Sequence, residues 1–494
     1  MLRFRKYLVT ALHSHKTCGG TLCGKSGGAE RQNNRYGGTK MKIMRRRERF
    51  LWIFLALALL LLGGCTSRKA KEPVTLTVWH VYGGQTDSPL NTLIEEYNES
   101  VGKKEGIRLQ VTVVSNTNNL HKAVLRSANQ EPGAAPLPDL FISYPKTVLA
   151  MPDQSILVDY HDYFTEKELE PYVPEFIEEG EIEGRLVVFP VAKSTEIMFV
   201  NKTLFDRFAK ETGARLEDLK TWAGLFEMAE KYRKWTDDQT PEVLGDGKTF
   251  FVHDYWFNYF QVGAASMGEH FIDDDRIVCG KAFRRAYDEL ADAAIGGGVW
   301  MQDGYATEPL RTGDAIVSVA SSASVLYYEN QVTYADNRSE PIEVIAMPIP
   351  FFEGAEKMVM QRGAGFCLVK SEPAREKAAV SFLKWLTKPE NNLRFVTAAG
   401  YMPVTGEAFE KLPEEIEKLE NPKYRSLYEA FLETQENYSF YSAPQLESYL
   451  EKETAFESGI RMIFREAAEE YRKGSSLKQL REDVYRSLMD KVAK

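Results

Sequence analysis

Three residue clusters in the 494-residue chain have types and spacing that could do chemistry. The first, Gly19 to Ser26 (GGTLCGKS), fits the G-x4-G-K-[ST] pattern whose backbone N–H groups cradle phosphates. Such a loop works only between a buried strand and a helix whose N-terminus meets the anion. Here LHSHKTC precedes it and GGAERQNN follows, neither a strand nor an amphipathic helix, so nucleotide binding is not expected. The second, Asp273-Asp274-Asp275, lacks the alternating spacing of a calcium loop and reads as a solvated turn; no metal is expected. The third is the abundance of carboxylates, from which an acid–base pair could be drawn. They fall mostly in mixed-charge runs such as Glu414-Glu415-Ile416-Glu417-Lys418, the pattern of a solvated helix face. The chain has no H-E-x-x-H, no G-x-S-x-G and no paired C-x-x-C. Cys279 and Cys367 sit in apolar contexts and read as buried small residues, with a disulfide between them as the alternative. Neither an enzyme nor a cofactor is expected.

What remains is recognition chemistry. Trp79, Tyr82, Tyr144, Trp256, Trp300 and Tyr401 could stack on weakly apolar sugar faces, with core packing as the alternative for each. The elements that would position them are set by hydrophobic periodicity. Residues 74–79 (VTLTVW), 107–114 (IRLQVTVV) and 139–142 (DLFI) read as strands, and 89–98 and 120–129 between them as helices. This β-α-β-α-β order predicts an α/β fold with an open, mainly parallel sheet. Ligands bind such sheets beyond the carboxyl ends of the strands, where Trp79 and Tyr144 fall. Residues 203–301 read as mostly helical, with Thr221 as an N-cap and Gly296-Gly297-Gly298 as a helix stop. Strands return at 315–320, 342–347 and 365–369, followed by a helix at 375–386 and a helical tail from 446.

The charge is unevenly spread. The whole chain has a formal net charge of −9, but residues 1–64 hold 13 basic and 2 acidic side chains, leaving −20 on the remainder. An acidic body argues against nucleic acid, which is bound by clustered Lys and Arg. Residues 50–62 (FLWIFLALALLLL) are apolar and uncharged but shorter than the roughly 20 residues of a spanning helix. Arg45-Arg46-Arg47 precedes this run and Gly63-Gly64-Cys65 follows it, the layout of a secretory signal peptide. The segment resembles the lipobox of bacterial lipoproteins, which implies cleavage before Cys65 and a diacylglycerol on its thiol. Residues 41–64 are then the signal peptide and 65–73 the lipidated tether. Residues 1–40 place a polar stretch ahead of the basic region and read as a mis-called upstream extension, with translation starting at Met41.

The mature chain resembles the extracellular solute-binding proteins of ABC importers, in the large family of maltose- and glycerol-phosphate-binding proteins. The likeness rests on Leu76-Thr77-Val78-Trp79-His80, Pro138-Asp139-Leu140-Phe141, Phe189-Pro190, Ile197 to Lys202, Thr312-Gly313-Asp314-Ala315, Met347-Pro348-Ile349-Pro350, Phe382 to Glu390, and Gly400-Tyr401-Met402-Pro403-Val404, in that order. It implies a two-lobed, periplasmic-binding-protein-like fold, with the ligand in a cleft between lobes joined by hinge crossings. By that analogy lobe one comprises 74–190 plus 312–362, and lobe two 191–311 plus 363–494. The last third is most similar to the glycerol-3-phosphate-binding branch, which implies ligand contacts from Ser194, Ser322, Gly363, Tyr401 and Arg461, the Arg holding a phosphate. Trp79 and Tyr144 complete the expected site. The implied partners are a sugar or polyol phosphate, the transmembrane subunits of an ABC permease, and the membrane through the lipid anchor, for a monomer on the extracytoplasmic face. The alternative is a sensor or scaffold lipoprotein on the same fold.

Overall fold

The computed structural model describes residues 72–82, 88–243 and 245–492. The phosphate-loop pattern at 19–26, the signal peptide, Cys65 and nearly all of the tether lie outside them. The chain divides into Met1–Lys71 and a unit from Glu72 to Lys494, and both main sheets belong to the second unit.

Twelve strands build these two sheets. In chain order they are β1 (Val74–His80), β2 (Ile107–Val113), β3 (Leu140–Ser143), β4 (Phe189–Pro190), β5 (Ser194–Asn201), β6 (Phe251–His253), β7 (Val299–Trp300), β8 (Val317–Ser321), β9 (Val344–Pro348), β10 (Met358–Arg362), β11 (Gly365–Leu368) and β12 (Ser439–Tyr441). The first sheet has the order β2-β1-β3-β11-β4. Its first three strands are parallel, because helices Pro89–Glu99 and Thr117–Ala128 return the chain between them. β11 closes the sheet antiparallel to β3 and β4.

The second sheet runs β7-β6-β8-β5-β10-β12, with β9 also on β5. β5 is its spine. All eight of its residues are buried, as expected of a strand covered on both faces. It pairs with β8 along one edge and with β9, then β10, along the other. Two apolar cores result. One gathers Leu76, Val78, Phe141, Phe366, Phe382 and Phe395, and reaches one face of the second sheet through Ala346 and Tyr428. The other packs Trp222, Phe251, Trp256, Phe283, Phe456 and Phe464.

Two expected segments exchange places. β8, β9 and β10, within the 312–362 span assigned to lobe one, belong to the second sheet. β11, assigned to lobe two, belongs to the first sheet, and helix Pro373–Leu386 packs beside β1. The physical reason is that strand patterns are local while strand partners are not. β8 pairs with β5 across more than a hundred residues of sequence. The first lobe is therefore built from 74–190 and 365–417, and the second from 194–362 and 439–492. Helix Pro422–Asn437 lies against β9.

The chain passes between lobes side by side, through Val191-Ala192-Lys193 in one direction and Gly363-Ala364 in the other. The ladder is Arg362↔Ser194 on one side and Gly365↔Pro190 on the other, so one crossing carries an extra residue, a bulge at the junction. Asp274 and Asp275 have positive φ in a hairpin turn, and helix Lys281–Ile295 ends at Gly296. Cys279 and Cys367 are both free thiols.

Candidate ligand-binding site

A cavity of about 1100 Å³ opens between the two lobes. Its floor is built where β10 ends. Arg362, the last residue of that strand, stacks its guanidinium 4.9 Å from the ring centre of Tyr255, at the start of helix Trp256–Ser266. Behind it, β5 supplies Glu196, 3.5 Å from Arg362 Nη1, and Asn258 Nδ2 donates to Glu196 Oε1 at 2.7 Å. Burial pushes the Glu196 carboxyl up to about 7, with Arg362 and Asn258 opposing the rise. Burial works against the charged Arg362, yet Glu196, Tyr255, Tyr144 and Asp254 outweigh it and hold its pKa above the ordinary value. Asp254 also lies on the floor, its pKa raised by burial, while the Ala306 N–H donates to its Oδ1 at 2.7 Å.

The walls are tyrosine-rich. Tyr144 and Tyr401 face in from the first lobe and Tyr255, Tyr305, Tyr327 and Tyr449 from the second. Tyr305 and Tyr327 are 39% and 49% exposed, two of the few large apolar side chains left open to water among the described residues. Rings left open at a cleft offer stacking surface to whatever enters it. Lys146 closes the cleft from one side. It follows β3, and its Nζ meets both oxygens of Glu453 on helix Tyr449–Arg472 at 2.6 and 2.7 Å, while lying 5.7 Å from the Tyr449 ring. This ion pair joins the lobes across the opening.

Of the seven expected ligand residues, Tyr144, Tyr401 and Arg461 line the cavity, and Trp79, Ser194, Ser322 and Gly363 do not. Trp79 is half-buried on the face of β1 opposite Val78 and His80. Ser194 is buried where β5 starts, its hydroxyl 3.4 Å from that of Ser321. Ser322 is fully buried with an unpartnered Oγ, and its neighbours Ser321, Ala323 and Ser324 line the cleft instead.

Gly363 sits in the lobe crossing at φ +109°, where a Cβ would stand 2.8 Å from both Lys193 Cα and Ser194 N. Its carbonyl accepts from Lys193 Nζ at 3.1 Å, and that ammonium also pairs with Glu179.

Arg461 reaches the cleft edge but its fork is turned into the protein. Nε meets Glu457 at 3.2 Å, Nη1 donates to Gln302 O at 2.8 Å, and Nη2 donates to His253 O at 3.2 Å and Asp254 O at 2.9 Å. Its geometry is that of a strut tying helix Tyr449–Arg472 to two loops. Tyr82 and Trp256, also considered as platforms, are core residues; Tyr82 packs edge-on against Phe395 and Tyr401.

Sequence reasoning missed Arg362, Tyr255, Tyr305, Tyr327, Tyr449 and the Lys146–Glu453 pair. The one available signal was Arg362 itself, a basic residue ending a strand in a strongly acidic chain, directly before Gly363.

Two lobes, adjacent chain crossings and a polar, tyrosine-walled cleft between them are the architecture of a solute-binding receptor. The sequence matches the bacterial extracellular solute-binding protein family over residues 92–423, and the chain belongs to that family, whose members bind solutes rather than transform them. The sn-glycerol-3-phosphate-binding periplasmic protein UgpB of Rhizobium meliloti (strain 1021) is 22% identical over 354 residues, which cover 69% of this chain and 78% of that protein. Among solved structures, UgpB from Mycobacterium tuberculosis in complex with glycerophosphocholine superposes with a TM-score of 0.62 at 17% identity, covering 85% of this chain and 98% of that one. The cyclic alpha-maltosyl-1,6-maltose binding protein from Arthrobacter globiformis gives 0.59 at 19% identity, covering 85% and 99%. Among the described residues no helix is long and apolar enough to cross a membrane.

Proposed function

We propose that this protein is the receptor of an ABC importer, tethered by a lipid on Cys65 to the outer face of the cell membrane. It captures a carbohydrate or glycerol-phosphate-type solute and delivers it to the permease. The observation that carries the reading is the cleft itself. Six tyrosines and a ring of hydrogen-bonding groups from both lobes surround one cavity, the lining that hydroxylated ligands require. Relatives named for glycerol 3-phosphate, glycerophosphocholine and a cyclic maltosyl sugar support the ligand class. A cavity of about 1100 Å³ is far roomier than a three-carbon phosphate needs, which favours an oligosaccharide or a headgroup-extended glycerophosphodiester.

Ligand binding stabilises the closed lobes, and the permease reads that shape. A thermal-shift panel of maltose, maltotriose, cyclic oligosaccharides, glycerol 3-phosphate and glycerophosphocholine tests the assignment. A bound ligand at 100 times its Kd stabilises by about 2.7 kcal/mol, a rise of several degrees in Tm. No shift with any sugar or glycerophosphate would remove the reading's support.

A further inference from the structure

Four basic side chains line the cleft: Lys146, Arg311, Arg362 and Arg461. Two are engaged by protein groups, and a third is unpaired but open to water rather than set in the floor. Lys146 holds Glu453, Arg461 is engaged by Glu457 and three carbonyls, and Arg311 stands exposed at the end of helix Thr307–Thr312. Arg362 differs from all of them. Its side chain is 17% exposed, and among the described residues its hydrogen bonding is one long contact to Glu196 at 3.5 Å. A guanidinium carries five N–H donors in a rigid fork, so most of its capacity faces the cavity unanswered.

Its position is central. Arg362 ends β10 at the lobe crossing, and its charge is felt by Tyr144 and Tyr401 of the first lobe and by Tyr255, Tyr305, Asp254 and Glu196 of the second. Tyr255 fixes the plane of the fork from one side, which pre-organises it for a planar or tetrahedral oxyanion.

Resting on the solute-receptor reading above, we propose that Arg362 is the specificity-determining residue of the cleft and holds an oxyanion of the ligand, a phosphate or carboxylate, against the floor. A buried cation is costly unless it is paired, and Glu196 is a poor counter-charge at 3.5 Å. Glu196 and Asp254 support the charge from the protein side, and the N–H donors of the fork that neither carboxylate takes stay open to a ligand oxyanion. The carboxylates of Glu175, Glu178, Glu308 and Glu329 also line the cavity. Carboxylates repel an anion wherever they meet it and favour a ligand whose remaining groups are hydroxylated or cationic, which leaves Arg362 as the point for its charged group.

Isothermal titration of the purified protein with matched pairs tests this: glycerol 3-phosphate against glycerol, glucose 1-phosphate against glucose, glycerophosphocholine against choline, with maltose as a neutral sugar. The expected result is a preference of roughly 10-fold or more for the anionic member of at least one pair. Arg362→Gln should weaken that member by roughly 10- to 100-fold and leave other binding within about 3-fold. Arg362→Lys keeps the charge without the fork and should fall between, and it serves as the folded control if the Gln variant is unstable. Equal affinity of wild type and a folded Arg362→Gln or Arg362→Lys variant for the anionic member overturns the assignment. Binding of neutral sugars only also overturns it, while sparing the receptor reading. Failure of wild type to bind any probe removes the receptor reading and this inference together.

Discussion

Glu196 is a carboxylate held beneath the cleft floor, and burial pushes it up to about 7 from an ordinary 4.5. A raised carboxyl pKa means that the fold favours the proton. The associated stability is fully present below pH 4.5 and is lost as pH rises through about 7. A Gln at this position has no proton to lose. The stability of Glu196→Gln relative to wild type should therefore climb in the variant's favour between about pH 5 and 7.5, by at most roughly 3 kcal/mol, read as a rising difference in Tm. A difference that stays flat over this window would show that Glu196 is not buried as described. Arg461 yields a second prediction. Because its fork supports Glu457 and three loop carbonyls, Arg461→Ala should destabilise the unliganded protein by roughly 3–5 kcal/mol in denaturant titrations, the cost of leaving a buried partner unpaired. Unchanged stability with lost binding would instead return it to direct ligand contact. Tyr144 was legible because it ends a strand whose pattern is local. Arg362 was not, because facing the cleft depends on β10 joining β5, a pairing that no nearby residue announces.

At the scale of elements, local signals carry well. Thr221 caps its helix by accepting from Gly224 N at 3.2 Å, Pro389 opens a helix, and the glycines at 296–298 end one. Hydrophobic pattern locates six of the twelve strands to within a residue or two and misses the others, among them the spine β5, and three of the seven strands of the second sheet fall in the other lobe from the one that family analogy implies. The lobe crossing shows the consequence. Analogy makes Gly363 a ligand contact, and it instead occupies a backbone position that only glycine fits, pressed against Lys193 and Ser194. Gly363→Ala must move one crossing strand off the other or strain a left-handed backbone, at a cost of roughly 1–3 kcal/mol. These two adjacent crossings, with a third between residues 417 and 439, set the angle between lobes, so the variant should lose affinity for every ligand alike, charged or neutral, and small-angle scattering should show an altered lobe arrangement. A loss confined to one ligand would mean that Gly363 acts within the site and not in the hinge.

At the scale of the whole molecule, charge decides how the protein meets a membrane. Beyond residue 64 the chain carries a net −20, so anionic lipid headgroups repel its surface rather than hold it. No described helix is long and apolar enough to cross the bilayer. The lipid on Cys65 proposed above then carries the whole of the membrane attachment. Labelled palmitate should enter the wild-type protein and not Cys65→Ser. Replacing residues 1–65 by a cleavable leader without a lipobox should release the protein in soluble form, with Tm and ligand affinity unchanged. A single acyl chain binds membranes only marginally, whereas a diacylglycerol anchors stably, so release should be complete rather than partial. Persistence of the leader-swapped protein in the membrane fraction after a salt wash would place the attachment on the acidic receptor itself and refute the lipid-anchor assignment.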